Sequence, residues 1–205
     1  GFKREWIRHY SSADHKGMNI YILVDAASSK KRGSDYTAMI VIGLGMDGNY
    51  YLLDMVRDRL NLTERTARLF KLHRQWHPKE VRYEKYGLMS DIEHITSRME
   101  NENYRFDIVE VGGSIRKTDR IGRLIPLFEQ KKVYLPESLY VTDYEKNMVN
   151  LVHSFIEEEY MAFPVGGHDD MLDALARITE PDYPLVWPKE TENWQDFKPE
   201  LAWVV

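Results

Sequence analysis

Three short runs of apolar residues, separated by turns, follow the first 18 residues of the chain. Residues 19–25 are mostly apolar and end at a carboxylate, Asp25, which predicts a buried central strand. Residues 36–44 and 50–56 are rich in apolar, β-branched and aromatic side chains, and the Asp-Gly step between them is a hairpin signal. We therefore predict an antiparallel meander of three strands.

Beyond residue 60 the apolar positions recur with a helical period, interrupted by short strand-like runs. The predicted helices cover residues 63–76, 88–101, 117–130, 143–158 and 169–179, and the predicted strands cover residues 80–84, 106–111 and 132–136. A proline stops the last strand, which marks it as an edge strand. The pattern predicts an α/β protein whose mixed five-stranded sheet, an antiparallel meander plus parallel strands, carries helices on both faces. This is the order of the ribonuclease H-like fold.

The chain is expected to form one domain with two flanking segments. We assign residues 1–18 to a peripheral N-terminal segment, residues 19–180 to the domain, and residues 181–205, which are rich in Pro and Trp, to an extension. A chain of 205 residues is long enough for a single substantial core. No stretch approaches the ~20 apolar residues that a membrane span needs, so we expect no membrane contact.

Composition and charge exclude some kinds of site. The sequence has no cysteine, which excludes disulfides, zinc sites built from thiolates and a cysteine nucleophile. The net charge of −5 argues against a general nucleic-acid binder, because such proteins carry a basic surface. A local basic patch around an acidic metal site is compatible with that charge.

Two carboxylates end predicted strands that lie side by side in this fold. Asp25 ends the first strand and Glu84 ends the fourth, and adjacent carboxylates repel each other unless a cation lies between them. The structural alternatives are a solvent-facing or turn-capping Asp25, and a surface Glu84 paired with Lys85 or Arg82.

A third acidic cluster begins the last predicted helix. Asp169, Asp170 and Asp173 follow two glycines, and Asp169 and Asp173 share one helical face. A single Asp there would be explained as a helix N-cap, but three exceed what capping requires. Hard oxygen ligands without cysteine favour Mg²⁺ or Mn²⁺. His168, directly before the cluster, is either structural or an outer-shell partner that handles protons.

Together these acids match the requirements of phosphodiester hydrolysis with two metal ions, in which one ion activates water and the other stabilises the leaving oxygen. Basic residues lie nearby in the sequence, and their side chains are candidates for phosphate contacts or for an ordinary solvated face. These are Lys30, Lys31, Arg32, Lys117 and Arg120.

Several motifs are similar to those of the nuclease domain of terminase large subunits, the DNA-packaging motors of tailed bacteriophages and related viruses. They are Val-Asp-Ala-Ala-Ser at 24–28, Ser-Asp-Tyr-Thr-Ala at 34–38, Lys-Thr-Asp-Arg-Ile at 117–121, Leu-Ile-Pro-Leu-Phe-Glu at 124–129, Val-Tyr-Leu-Pro at 133–136, and His-Asp-Asp-Met-Leu-Asp-Ala-Leu-Ala at 168–176. The resemblance covers roughly residues 19–180.

The resemblance implies a metal-dependent endonuclease that cuts concatemeric double-stranded viral DNA during genome packaging. It implies that Asp25, Glu84 and the Asp169/Asp170 pair are metal ligands, with Asp173 ranked below the pair. It further implies an ATPase domain, a small terminase subunit and a portal as partners, in the host cytoplasm. The sequence has no Gly-x-x-x-x-Gly-Lys-Ser/Thr loop, so we expect the ATPase to lie outside this chain.

Three other classes of protein remain as alternatives. A Holliday-junction resolvase or an integrase of the same fold would use the same acids. A docking module would keep the fold without catalysis, although clustered acids reduce stability unless they are used. A sugar-kinase-like or actin-like ATPase needs two such lobes and a Gly-rich phosphate site, for which 205 residues are too few.

Overall fold

The computed structural model describes residues 1–27, 36–84 and 89–190. The strands are β1 (Arg8–Tyr10), β2 (Asn19–Asp25), β3 (Thr37–Leu44), β4 (Tyr50–Asp58), β5 (Glu80–Glu84), β6 (Ile108–Val111), β7 (Val133–Pro136), β8 (Tyr140–Thr142) and β9 (Met148–Asn150). The α-helices are α1 (Leu62–Trp76), α2 (Met89–Asn101), α3 (Lys117–Gly122), α4 (Ile125–Glu129), α5 (Leu151–Ser154) and α6 (Asp170–Ala176). A π-helical turn, Phe155–Tyr160, continues α5.

Seven strands form the main sheet, in the order β1-β7-β4-β3-β2-β5-β6. The predicted meander is confirmed, because β2, β3 and β4 pair antiparallel. Strands β5 and β6 extend it in parallel on one side, and β7 and β1 extend it in parallel on the other. The α/β class and the mixed sheet are therefore confirmed, but the prediction of five strands is wrong.

Different helices pack on the two faces of the sheet. Even-numbered apolar residues of β2 pack with α1 and α2, whereas Tyr21 and Leu23 pack with α3 to α6. Side chains along a strand alternate between faces, so Asp25 continues the row of Tyr21 and Leu23 towards α6. On β5, Val81 and Tyr83 belong to the α1 and α2 side, which leaves Glu84 on the α6 side.

Two predictions near the other sheet edge are wrong. The predicted edge strand, 132–136, corresponds to β7, which lies inside the sheet because β1 covers it through register pairs such as Arg8 with Tyr134. Strand β1 has two exposed residues and one half-buried residue with no apolar pattern, so local sequence does not predict it. The 1–18 segment that we expected to be peripheral thus supplies a strand, and Phe2 and Trp6 are buried in the core.

The predicted helix over 143–158 is wrong in its first half. That half contains the turn and second strand of a hairpin, β8–β9, in which Asn147 N donates to Asp143 Oδ1 at 2.8 Å and Lys146 adopts a positive φ of 68°. The helix begins only at Leu151, after Asn150, whose side chain accepts from Val152 N. Asn147 in the turn and Asn150 at the N-cap were the available signals, because Asn favours both turns and N-caps.

Residues 181–190, the described part of the extension, pack at the end of the sheet remote from Asp25. Asn19 Nδ2 donates to Val186 O at 2.7 Å, Val186 N donates to the Tyr21 hydroxyl at 3.0 Å, and Trp187 meets Tyr50 edge-on at 4.9 Å. Among the described residues, no helix is long and apolar enough to cross a membrane.

Candidate active site

Three carboxylates from three distant segments meet at one end of the sheet. Asp25 at the end of β2, Glu84 at the end of β5 and Asp173 in α6 each offer an oxygen atom, and these oxygens lie within 4.8 Å of one another. Asp25 and Glu84 are half-buried and Asp173 is 3% exposed. Among the residues that the structure describes, this is the group of acids with metal-site geometry.

A close backbone approach places α6 in this position. A Cβ added at Gly166 would lie 2.8 Å from Ala162 Cβ and 3.2 Å from Glu158 O, so the chain can pass there only without a side chain. The peptide then enters α6, whose apolar residues Met171, Leu172 and Leu175 are fully buried against the sheet. The packing of this helix turns Asp173 towards the strand ends.

Three basic side chains hold the acids in this arrangement. Arg120 binds Asp173 through Nε at 2.7 Å and Nη2 at 2.5 Å, both to Oδ1. Lys117 Nζ lies 2.7 Å from Asp169 Oδ1 and 3.4 Å from Asp173 Oδ2. Arg177 Nη2 donates to Glu84 Oε1 at 2.6 Å. Asp169, Asp173 and Glu84 therefore each have a basic partner.

Asp25 and Glu84 interact directly. Burial, a hydrogen bond to Glu84 and the charges of Glu84 and Asp173 raise the pKa of Asp25 well above its usual range, against the opposing charge of Lys117. For Glu84, burial opposes ionisation, but the hydrogen bond from Asp25 and the charges of Arg177, Arg120 and Lys117 lower its pKa. Asp25 therefore binds a proton more readily than Glu84 does, as expected when two close carboxylates have different neighbouring charges.

Lys117 faces three acids, Asp25, Asp169 and Asp173. Burial lowers its pKa, but the hydrogen bond to Asp169 and the charges of Asp173 and Asp25 outweigh burial, and the pKa of Lys117 rises. Its ammonium group therefore stays charged across the physiological range. The side chain is 40% exposed, so Lys117 remains accessible from solvent.

The other residues predicted for the site surround this cluster. Asp169 is the N-cap residue of α6, but its side chain makes no capping hydrogen bond and binds Lys117 instead, so the capping interpretation of Asp169 is wrong. Asp170 is 4% exposed, and its Oδ2 lies 3.8 Å from His168 Nδ1. The His168 ring also meets Tyr36 edge-on at 5.3 Å.

The predicted DNA-contacting residues differ in what they can reach. Arg120 is 7% exposed and occupied by Asp173, whereas Lys117 faces both the acids and solvent. Lys30, Lys31 and Arg32 lie outside the described residues.

A family model, the Terminase RNaseH-like domain, matches residues 22–179, which includes all of β2 beyond its first three residues and all of α6. The chain belongs to this terminase family. The resemblance that the motifs indicated is thereby confirmed, together with the ribonuclease H-like fold. A search among curated proteins gave no match.

Solved structures of terminase nuclease domains share the fold of this chain. The large terminase nuclease from thermophilic phage G20c superimposes with a TM-score of 0.54 at 15% identity, covering 84% of this chain and 92% of that one. The human cytomegalovirus terminase nuclease domain superimposes with a TM-score of 0.60 at 12% identity, covering 87% of this chain and 93% of that one. A G20c structure with bound magnesium has a TM-score of 0.50 at 18% identity, covering 83% of this chain and 89% of that one.

Sequence reasoning missed two charged residues of this terminase domain. Arg177 lies one helical turn after Asp173, and its guanidinium joins Glu84 and Glu180, the latter at 2.5 Å. The spacing of four residues between Asp173 and Arg177 was an available signal for Arg177. Glu159 accepts a hydrogen bond from Leu172 N at 2.9 Å, and a buried Glu in a run of three has no signature in the sequence.

Proposed function

We propose that this terminase domain is a divalent-metal-dependent endonuclease that cuts concatemeric double-stranded viral DNA during genome packaging. The observation that carries the proposal is the convergence of Asp25, Glu84 and Asp173 within 4.8 Å. Family membership supports a nuclease, and related domains were solved with bound magnesium, zinc, cobalt or, by soaking, manganese.

The cluster fits Mg²⁺ or Mn²⁺ in its donor chemistry. It offers carboxylate oxygens, which hard cations prefer, and the sequence contains no thiolate. The raised pKa of Asp25 reflects like charges that a cation would compensate. Asp25, Glu84 and Asp173 would hold one ion, and we retain Asp169 and Asp170 as candidate ligands of a second.

In the reaction, bound divalent ions would supply an activated water and stabilise the leaving oxygen. Arg120 and Arg177 hold Asp173 and Glu84 in place for the ions. Lys117 is the accessible cation beside the acids and would bind a DNA phosphate. His168 would orient Asp170 and exchange protons with solvent, since its ring is partly exposed.

Digestion of a supercoiled plasmid tests the activity. With Mn²⁺ or Mg²⁺ we expect nicked, then linear, then smeared DNA with little sequence preference, and we expect EDTA to abolish cleavage. Full activity in EDTA would exclude the proposed chemistry. Gel electrophoresis of time points gives the rates.

A structure-selective nuclease such as a Holliday-junction resolvase, or an integrase, is the second candidate, because it would use the same acids. Cleavage of a four-way junction in preference to the linear duplex of the same sequence would favour the resolvase. Equal cleavage of both substrates would favour the packaging nuclease.

Beyond DNA, we propose an ATPase domain, a small terminase subunit and a portal as partners in the host cytoplasm.

The two basic residues of α3 are expected to affect DNA binding differently. Lys117→Ala should weaken duplex binding and reduce the slope of log K against log salt by about 1, because one phosphate contact and its released counterion are lost. Arg120→Ala should leave that slope unchanged, since its guanidinium is buried against Asp173. Fluorescence anisotropy in Ca²⁺ over a range of NaCl concentrations measures both slopes. Equal slopes for wild type and Lys117→Ala would place Lys117 away from the DNA.

A further inference from the structure

The start of α6 is capped by a residue from another element. The third residue of the helix, Leu172, donates its backbone N–H to Glu159 Oε2 at 2.9 Å, while the N-cap residue Asp169 makes no side-chain capping bond. The amide of the third helical residue is one of those that an N-cap side chain ordinarily satisfies. Glu159 therefore takes the place of the local cap.

A π-helical turn brings Glu159 into this position. Met161 N donates to Ile156 O, five residues earlier, at 2.9 Å. Within the turn, Glu159 is 0% exposed, whereas Glu157 points outward and pairs with Arg4 at 2.7 Å. A single π-helical turn is rare and often occurs at functional sites. Here its consequence is a buried carboxyl group directed at the N-terminus of α6, and burial raises the pKa of Glu159 to about 8.

Arg57 of β4 lies beside the outer oxygen of the Glu159 side chain without a hydrogen bond to it. Its Nε lies 3.4 Å from Glu159 Oε1, and its Nη1 donates to Glu158 Oε2 at 2.6 Å. The Arg57 guanidinium also stacks 4.3 Å from the ring of Tyr36, and that ring meets His168. The hydrogen bond from Arg57 to Glu158 thereby holds the turn that carries Glu159 against the sheet.

We propose that Glu159 is a positioning residue of the nuclease, which sets the start and rotation of α6 and so holds Asp170 and Asp173 opposite Asp25 and Glu84. This inference rests on the proposed function. Glu159 contacts backbone amides rather than the acid cluster, so it acts through the helix. By capping α6 from outside, it leaves the side chain of Asp169 available to Lys117 and that of Asp173 to Arg120.

The test compares Glu159→Ala and Glu159→Gln with Glu157→Gln, a control on the exposed side of the same turn. In Glu159→Ala we expect the amides of Met171 and Leu172 to lose hydrogen-exchange protection. We also expect the Mn²⁺ Kd to rise and kcat to fall, each by about tenfold, the factor that corresponds to one lost helix cap. KM for plasmid should stay within about twofold, because Glu159 makes no DNA contact. Glu159→Gln keeps an oxygen acceptor and should recover most of kcat, and the control should match wild type.

A folded Glu159→Ala variant with wild-type Mn²⁺ affinity and kcat would overturn the proposal. If that variant does not fold, Glu159→Asp replaces it, because the side chain is one methylene shorter and cannot reach Leu172 N in the same way; wild-type values there would equally overturn it. Unprotected amides at Met171 and Leu172 in the wild-type chain refute the cap itself. Protected amides in a wild-type chain that neither binds Mn²⁺ nor cuts DNA refute the proposed function instead.

Discussion

Asp25→Asn is expected to lower the rate of DNA cleavage by about 10³-fold, because the loss of a ligand charge removes several kcal/mol of transition-state stabilisation. The metal-free fold should become slightly more stable at neutral pH. Asp25 has a raised pKa among like charges, so in wild type the folded state binds a proton that the unfolded state releases. The contribution of Asp25 to the free energy of unfolding of the wild-type chain therefore falls as pH rises above about 4.

Melting curves without metal at pH 4 and pH 7 check the expected gain in stability, and a plasmid assay checks the expected loss of cleavage. The gain in Tm of Asp25→Asn should be present at pH 7 and largely absent at pH 4. Asp119→Asn, which removes an exposed carboxylate of α3, serves as the control and should change neither activity nor the pH dependence. An Asp25→Asn variant that cuts at the wild-type rate would remove Asp25 from the active site.

Asp173→Asn should also lower the rate of cleavage, by about 10²-fold or more, and unlike Asp25→Asn it should lower the stability of the fold. Asp173 and Arg120 form a buried ion pair, and removing one partner of such a pair costs about 3–5 kcal/mol. For a domain of this size the Tm should drop by roughly 10 °C. Calorimetry gives the Tm, and cleavage is measured well below the Tm of the variant.

A second buried pair on the opposite face of the sheet provides the matched control. Asp91 accepts from Arg65 Nε at 2.8 Å and from Nη2 at 2.6 Å, with both side chains buried. Asp91→Asn should lose a similar amount of stability but keep its cleavage rate at the permissive temperature. If the two variants lose activity equally, the effect of Asp173→Asn is on folding rather than on the metal site.

The candidate site was partly predictable because part of it is local. Strand periodicity places Asp25 and Glu84 at strand ends, and the alternation of side chains puts both on one face. The helix that carries Asp169, Asp170 and Asp173 was also predictable. The sequence does not predict which carboxylate of this helix approaches the strand ends, because that depends on how the helix is rotated when its apolar residues pack. The resemblance to terminase nucleases ranked Asp173 below the Asp169/Asp170 pair, whereas in the structure Asp173 joins Asp25 and Glu84.

Apolar periodicity and strand-end carboxylates therefore predict the class of fold, the central meander and two of the three clustered acids, since each depends on neighbours in the sequence. Tertiary structure decides the rest, including the addition of β1 to the sheet, the pairing of Arg120 with Asp173 and the cap from Glu159. Each of these contacts joins segments more than ten residues apart, and Arg8 and Tyr134 of the β1–β7 pair are more than 100 apart. The pairing of such segments is set by the packing of both faces of the sheet, which no local pattern records.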